Sequence, residues 1–202
     1  MARASVLGRA GWALATAAVA CASGTKAETQ LGLFKALCVE TRAYGPSAIA
    51  AADAMGWKPA PKSLLDGLAK PEEPGEIIVG VDGRFMTDAT GFTVVVVART
   101  NKIIPKHTMD ADVCAVAVGP KSDIANLKAD AAAFARVPQT PAVVDVKGAD
   151  GYLWREAAGQ HNLMSASELV GAANDPAVTV LVAISEGGIG MLGLAVPASE
   201  RN

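Results

Sequence analysis

Two cysteines 76 positions apart, Cys38 and Cys114, constrain this chain more than anything else in it. They matter because of what precedes them. Arg3 and Arg9 make a short positive start, and Ala10–Ala22 is an apolar stretch of 13 residues. That is too short for a helix to cross a bilayer, which takes roughly 20 residues. Positive start, short apolar run and small residues at its end form the pattern of a secretory signal. Residues 1–27 therefore read as a signal peptide and 28–202 as the mature chain. Two cleavage sites fit, after Ala20-Cys21-Ala22 or after Thr25-Lys26-Ala27. A lipid anchor on Cys21 and an uncleaved N-terminal anchor are the alternatives. The residues before Cys21, Ala18-Val19-Ala20, lack the Leu that usually stands three positions before a lipidated cysteine.

Processing takes the third cysteine, Cys21, out of the count. An even pair in an oxidising compartment reads as a disulfide. Closing a loop of this size is worth roughly 4 kcal/mol in the chain-entropy model. The alternative is two unrelated buried thiols. No C-x-x-C occurs, which argues against thioredoxin-like redox chemistry.

Length fits one domain. A hydrophobic share of 51% supplies a core, and with aromatics at only 4% that core must be Ala, Val, Leu and Ile. Removing Arg3, Arg9 and Lys26 with the signal leaves 15 basic against 20 acidic side chains, a formal charge of −5. An acidic domain without a Lys/Arg run does not attract nucleic acid or an anionic bilayer. The mature chain carries no apolar run long enough to span a membrane. Its partner is expected to be a protein or a small-molecule ligand.

Leu31, Phe34 and Cys38 recur at helical spacing and predict a helix over Gln30–Thr41 that turns Cys38 inward. Pro46 suits the first turn of a second helix, Ser47–Met55, with Gly56 as its cap and Trp57 folding back. A short helix is expected at Ser63–Ala69. The pattern then changes to period two. Glu76–Val81 predicts a strand, Asp82-Gly83 a hairpin turn and Arg84–Thr87 the return. Phe92–Ala98 is a β-branched run suited to a central strand covered on both faces, by further helices or a dimer partner. Val113–Val118 is another strand, with Cys114, Val116 and Val118 on one face. Ser122 is placed as the cap of a helix over Asp123–Ala135, with Ile124, Leu127, Ala131 and Phe134 as its apolar stripe. Val143–Val146 and Tyr152–Arg155 are expected to pair. Ser165-Ala166-Ser167-Glu168 is a capping box. Val178–Ile184 and Ile189–Val196 form a last hairpin. Short connections favour an α+β fold: an antiparallel or mixed sheet of about six to eight strands with helices packed on it.

Several features could carry chemistry. Gly188-Ile189-Gly190-Met191-Leu192-Gly193 spells G-x-G-x-x-G. The dinucleotide mechanism needs a helix and a further strand after it, and only nine residues follow. These glycines read instead as strand and turn positions packed against a neighbour. His107 with Asp110 and Asp112 is the candidate cluster for metal binding or acid–base work, although only one imidazole is local. A polar loop between strands accounts for it as well. His161, in Gly159-Gln160-His161-Asn162, reads as a solvated loop. Trp57 and Trp154 read as core or hairpin packing, with a small apolar pocket beside them as the alternative. No G-x-S-x-G elbow and no phosphate-binding loop occur, and no cofactor is implied. The function expected is a non-catalytic envelope or periplasmic binding domain. The alternatives are a hydrolase or metal-dependent enzyme using His107, Asp110 and Asp112, and a secreted factor acting on other cells.

The signal region, the helix with Leu37-Cys38, the Gly56-Trp57 pair and the strand Asp112-Val113-Cys114-Ala115-Val116 leading to Ser122 together resemble small exported proteins of uncharacterised function from alphaproteobacteria. The resemblance spans roughly Phe34–Phe134. It implies a periplasmic or envelope location and an intramolecular disulfide, and no activity.

Overall fold

A computed structural model of the chain describes residues 29–71, 74–88, 91–102, 108–120, 124–143 and 148–198. The signal region, His107 and Ser122 lie outside them.

The sheet follows from the β-branched runs. β1 (Lys58–Pro59), β2 (Ile78–Asp88), β3 (Gly91–Thr100), β4 (Ala111–Pro120), β5 (Ala149–Ala157), β6 (Gln160–Leu163), β7 (Val178–Glu186) and β8 (Ile189–Pro197) form one sheet in the order β1-β2-β3-β4-β8-β7-β5-β6. Every pairing is antiparallel. Around it lie α1 (Gln30–Phe34), α2 (Gly45–Ala54), α3 (Lys62–Leu68), α4 (Leu127–Ala135) and α5 (Ala166–Gly171). The fold is α+β, with the sheet the larger part.

One face of the sheet holds the main core. Val95, Val97, Cys114, Val116, Leu192, Leu194, Leu181, Tyr152 and Trp154 point to α1, α2 and α4. The opening helix spans what its period predicts but changes winding: α1 runs into a π-helical turn, Lys35–Val39. The wider turn is closed by Glu40 N–H donating to Lys35 O at 2.9 Å, and Thr41 Oγ1 donates to Leu37 O at 2.6 Å. Leu37 and Cys38 are both fully buried as a result. The Cys38 and Cys114 sulfurs sit 1.98 Å apart, at disulfide distance, which ties this arm to the middle of the sheet. α2 ends as its sequence predicts. Gly56 takes φ 80°, Trp57 N–H reaches back to Ala52 O at 3.1 Å, and the indole is buried over the helix end.

The other face is covered in parts. α5, opened by the expected Ser165–Glu168 capping box, and a 3-10 turn at Pro141–Val143 cover Leu153, Val178 and Val180. Leu65 of α3 lies against Gly83 at the far edge. Between them Val96, Ala115, Ala117, Val182, Ile184 and Met191 are only half-buried.

Two strand expectations are corrected. Asp82-Gly83 is not a turn: both residues sit inside β2, opposite Val97 and Val96. Gly83 is needed for close approach, because a Cβ there would stand 2.8 Å from Val95 O. Gly80, at φ 64°, sits in a bulge instead, and the chain reverses between Asp88 and Gly91. Tyr152–Arg155 do form a strand, but its neighbours are β6 and β7. Val143 belongs to the 3-10 turn, and residues 144–147 lie outside those described.

The last hairpin forms as read, turning at Gly187-Gly188, both with positive φ. Gly190 is close-packed: a Cβ there would meet Ile124 at 2.5 Å and Leu127 and Gln30 at 3.1 Å. This is the steric reading of the G-x-G-x-x-G string.

Candidate functional site

The β5–β6 hairpin turns through Ala158 (φ 52°) and Gly159 (φ 73°), so Ala157 pairs with Gln160 and Glu156 with His161. Trp154 and His161 are then diagonal neighbours on one face. Their rings stack, with centroids 4.6 Å apart and planes 17° from parallel. Phe134, near the end of α4, stands edge-on to both, 6.2 Å from Trp154 and 6.1 Å from His161. Phe34 adds an edge contact to Phe134 at 6.1 Å.

His161 is half-buried on a strand, not in a solvated loop. Its Nδ1 lies 2.7 Å from Ala135 O. A carbonyl only accepts, so Nδ1 carries the proton and donates, leaving Nε2 without a described partner. The imidazole thus joins the hairpin to the C-terminal end of α4.

These rings wall a cleft of two compartments. The outer one, about 290 Å³, is lined by Leu31, Lys35, Asp130, Ala133, Phe134, Arg136 and His161. The inner one, about 80 Å³, adds Val39, Arg42, Trp154, Glu156 and Thr179. Phe134 and His161 belong to both. The π-helical turn places Lys35 and Val39 on the cleft side, and Lys35 Nζ stands 5.5 Å over the Phe134 ring. Arg42 and Arg136 sit at positive φ, 52° and 56°. Arg42 also donates to Pro176 O. Lys35, Asp130, Arg136 and Glu156 form no ion pair among the described residues.

Aromatic rings, cations and carboxylates meet in this cleft. Among the described residues, Thr179 brings the cleft its one hydroxyl, and no thiol lines it. His161 bonds Ala135 O and no nucleophile. Among the described residues no group of three His, Cys, Asp or Glu side chains is placed to hold a metal ion.

The predicted cluster lies elsewhere. Asp112 is buried and accepts from Arg99 Nε at 2.8 Å across β3 and β4. Donation to the Asp112 carboxylate raises the Arg99 guanidinium pKa above its ordinary value, against the opposing effect of burial. Asp110 is exposed just before β4. His107 lies outside the described residues, and the cluster as a whole with it. No helix among the described residues is long and apolar enough to cross a membrane.

The cleft residues were not picked out by sequence motifs, because they come from five separate segments. Gly159 is the one local signal for the turn whose register sets Trp154 and His161 diagonally, and Ala158 beside it gives none. Compared with known proteins, the chain matches no family model, no curated protein and no solved structure.

Proposed function

We propose that this chain is an exported, non-catalytic binding domain that holds a small ring-bearing ligand between Lys35, Phe134, Arg136 and His161. The observation that carries the reading is the Trp154–His161 stack with Phe134 at its edge, opening into a cleft of about 290 Å³. That volume is at the small end of ligand sites, the size for a single ring with a polar substituent. Phe134 and His161 give this cleft its ring faces, and Lys35, Asp130 and Arg136 make its lining more charged than that of most ligand sites. The cysteine pair at disulfide distance supports an oxidising compartment, in keeping with the signal pattern of residues 1–27.

The test uses two single-ring probes, sodium benzoate and benzyl alcohol, followed in proton–nitrogen correlation spectra of the mature protein. Binding by either probe at millimolar concentration should move the Trp154 indole signal and the amides of Lys35, Phe134, Arg136 and His161 together. Spectra in which neither probe moves these signals would overturn the proposal.

A further inference from the structure

We infer that the ligand of this cleft is an aromatic acid, a small ring bearing a carboxylate; the inference rests on the binding reading above and names its ligand class. Three cations reach the cleft from separate segments: Lys35 on the π-helical turn, Arg42 after it, and Arg136 after α4. Two acids, Asp130 and Glu156, oppose them. The local balance is positive in a chain whose formal charge is −2.

The backbone makes the same point. Four non-glycine residues among those described have positive φ: Arg42, Ala43, Arg136 and Ala158. The left-handed region costs an ordinary L-residue on the order of 1 kcal/mol, and Gly or Asn would take it more cheaply. At the end of α4 the chain holds Arg136 where glycine is the usual helix terminator. Both arginines of this strained set line the cleft. Strain of this kind concentrates where a side chain is needed in place.

A helix C-terminus disfavours a nearby anion. Here Ala132 O accepts from Arg136 N at 3.0 Å and Ala135 O from His161, so these two carbonyls are already engaged. The planar guanidinium of Arg136 can take both oxygens of a carboxylate while the ring lies against Phe134 and His161.

The test compares the affinities of benzoate, benzyl alcohol and inorganic phosphate for the mature protein and for Arg136→Gly and Lys35→Ala, by the same spectra. Benzoate should bind at least about tenfold tighter than benzyl alcohol, as expected for a hydrogen bond to a charged group. It should also exceed phosphate, which lacks the ring. Both substitutions should pull the benzoate-to-benzyl-alcohol ratio toward one. Arg136→Gly should do so without lowering the melting temperature, so a loss of folding cannot explain it. Benzyl alcohol binding as tightly as benzoate overturns the acid and leaves the cleft standing. Phosphate matching benzoate overturns the ring. Binding of neither ring probe removes both the acid and the cleft.

Discussion

Trp154 and His161 lie ring over ring, 4.6 Å between centroids, because a two-residue turn at Ala158-Gly159 folds the strand carrying one against the strand carrying the other. His161 also bonds the last carbonyl of α4 through Nδ1. One half-buried side chain therefore couples hairpin, helix and cleft. His161→Ala removes the stack and leaves Ala135 O without this donor. The expected cost is about 1–3 kcal/mol, from an aromatic pair worth roughly 0.5–1.5 kcal/mol and a net hydrogen bond of similar size. His161→Phe should recover the stacking part alone. Urea unfolding of the three proteins checks this, and equal midpoints for all three would show that the imidazole holds nothing together.

Arg136 separates stability from binding. At φ 56° after Ala135, glycine relieves the left-handed strain at the expense of more unfolded-state freedom. Arg136→Gly is expected to melt at the same temperature as the parent or a few degrees above it, while binding benzoate more weakly. A clear drop in melting temperature would mean that the arginine serves the fold.

Gly190 tests the steric reading of the glycine-rich string. An added Cβ meets Ile124 Cγ2 at 2.5 Å, closer than real side chains pack, with Leu127 and Gln30 at 3.1 Å. Overpacking of this kind costs about 1–3 kcal/mol, so Gly190→Ala should be destabilised by that much. Gly159→Ala finds nothing within 4 Å of its Cβ and meets backbone strain only, at φ 73°. Thermal unfolding of the two variants gives the comparison, and an unperturbed Gly190→Ala would show that the contact with the loop before α4 yields freely.

Tyr152 gives a pH dependence. Its ring is 1% exposed, and burial pushes the phenol above its ordinary value of 10, with the Gln139 side chain opposing the rise. The folded state thus holds its proton to higher pH than the unfolded chain does. Its contribution to stability is present below the unfolded value and is lost as pH rises through the folded one. Melting temperature should fall above about pH 10, more steeply than in Tyr152→Phe. Parallel slopes for the two proteins would locate the alkaline loss elsewhere.

The elements legible in the sequence were those set by local chemistry. Pro46, Gly56 and the Ser165–Glu168 box mark helix ends through their own backbone needs, and each does so in the fold. The cysteine pair and the β-branched run Val94–Val97 fixed the arm against the centre of the sheet. What misled was chemistry with two uses. Asp82-Gly83 has the residues of a turn, yet Gly83 serves close approach to Val95 O, which only the neighbouring strand reveals. Ala158 carries no turn signal, so the β5–β6 register, and with it the Trp154–His161 pair, stayed hidden. The winding of Lys35–Val39 was equally silent: its apolar spacing fits an α-helix, and tertiary packing of Leu37 and Cys38 selects the π turn.

The tethered arm is where fold and cleft meet, since the same π-helical turn carries Cys38 to Cys114 and Lys35 to the aromatic wall. Counting reactive thiols on the mature protein, taken from the exported fraction and denatured without reductant, tests that link most directly. No reactive thiol is the predicted result. Two per chain would contradict it, leaving the opening helix untethered and the compartment reducing.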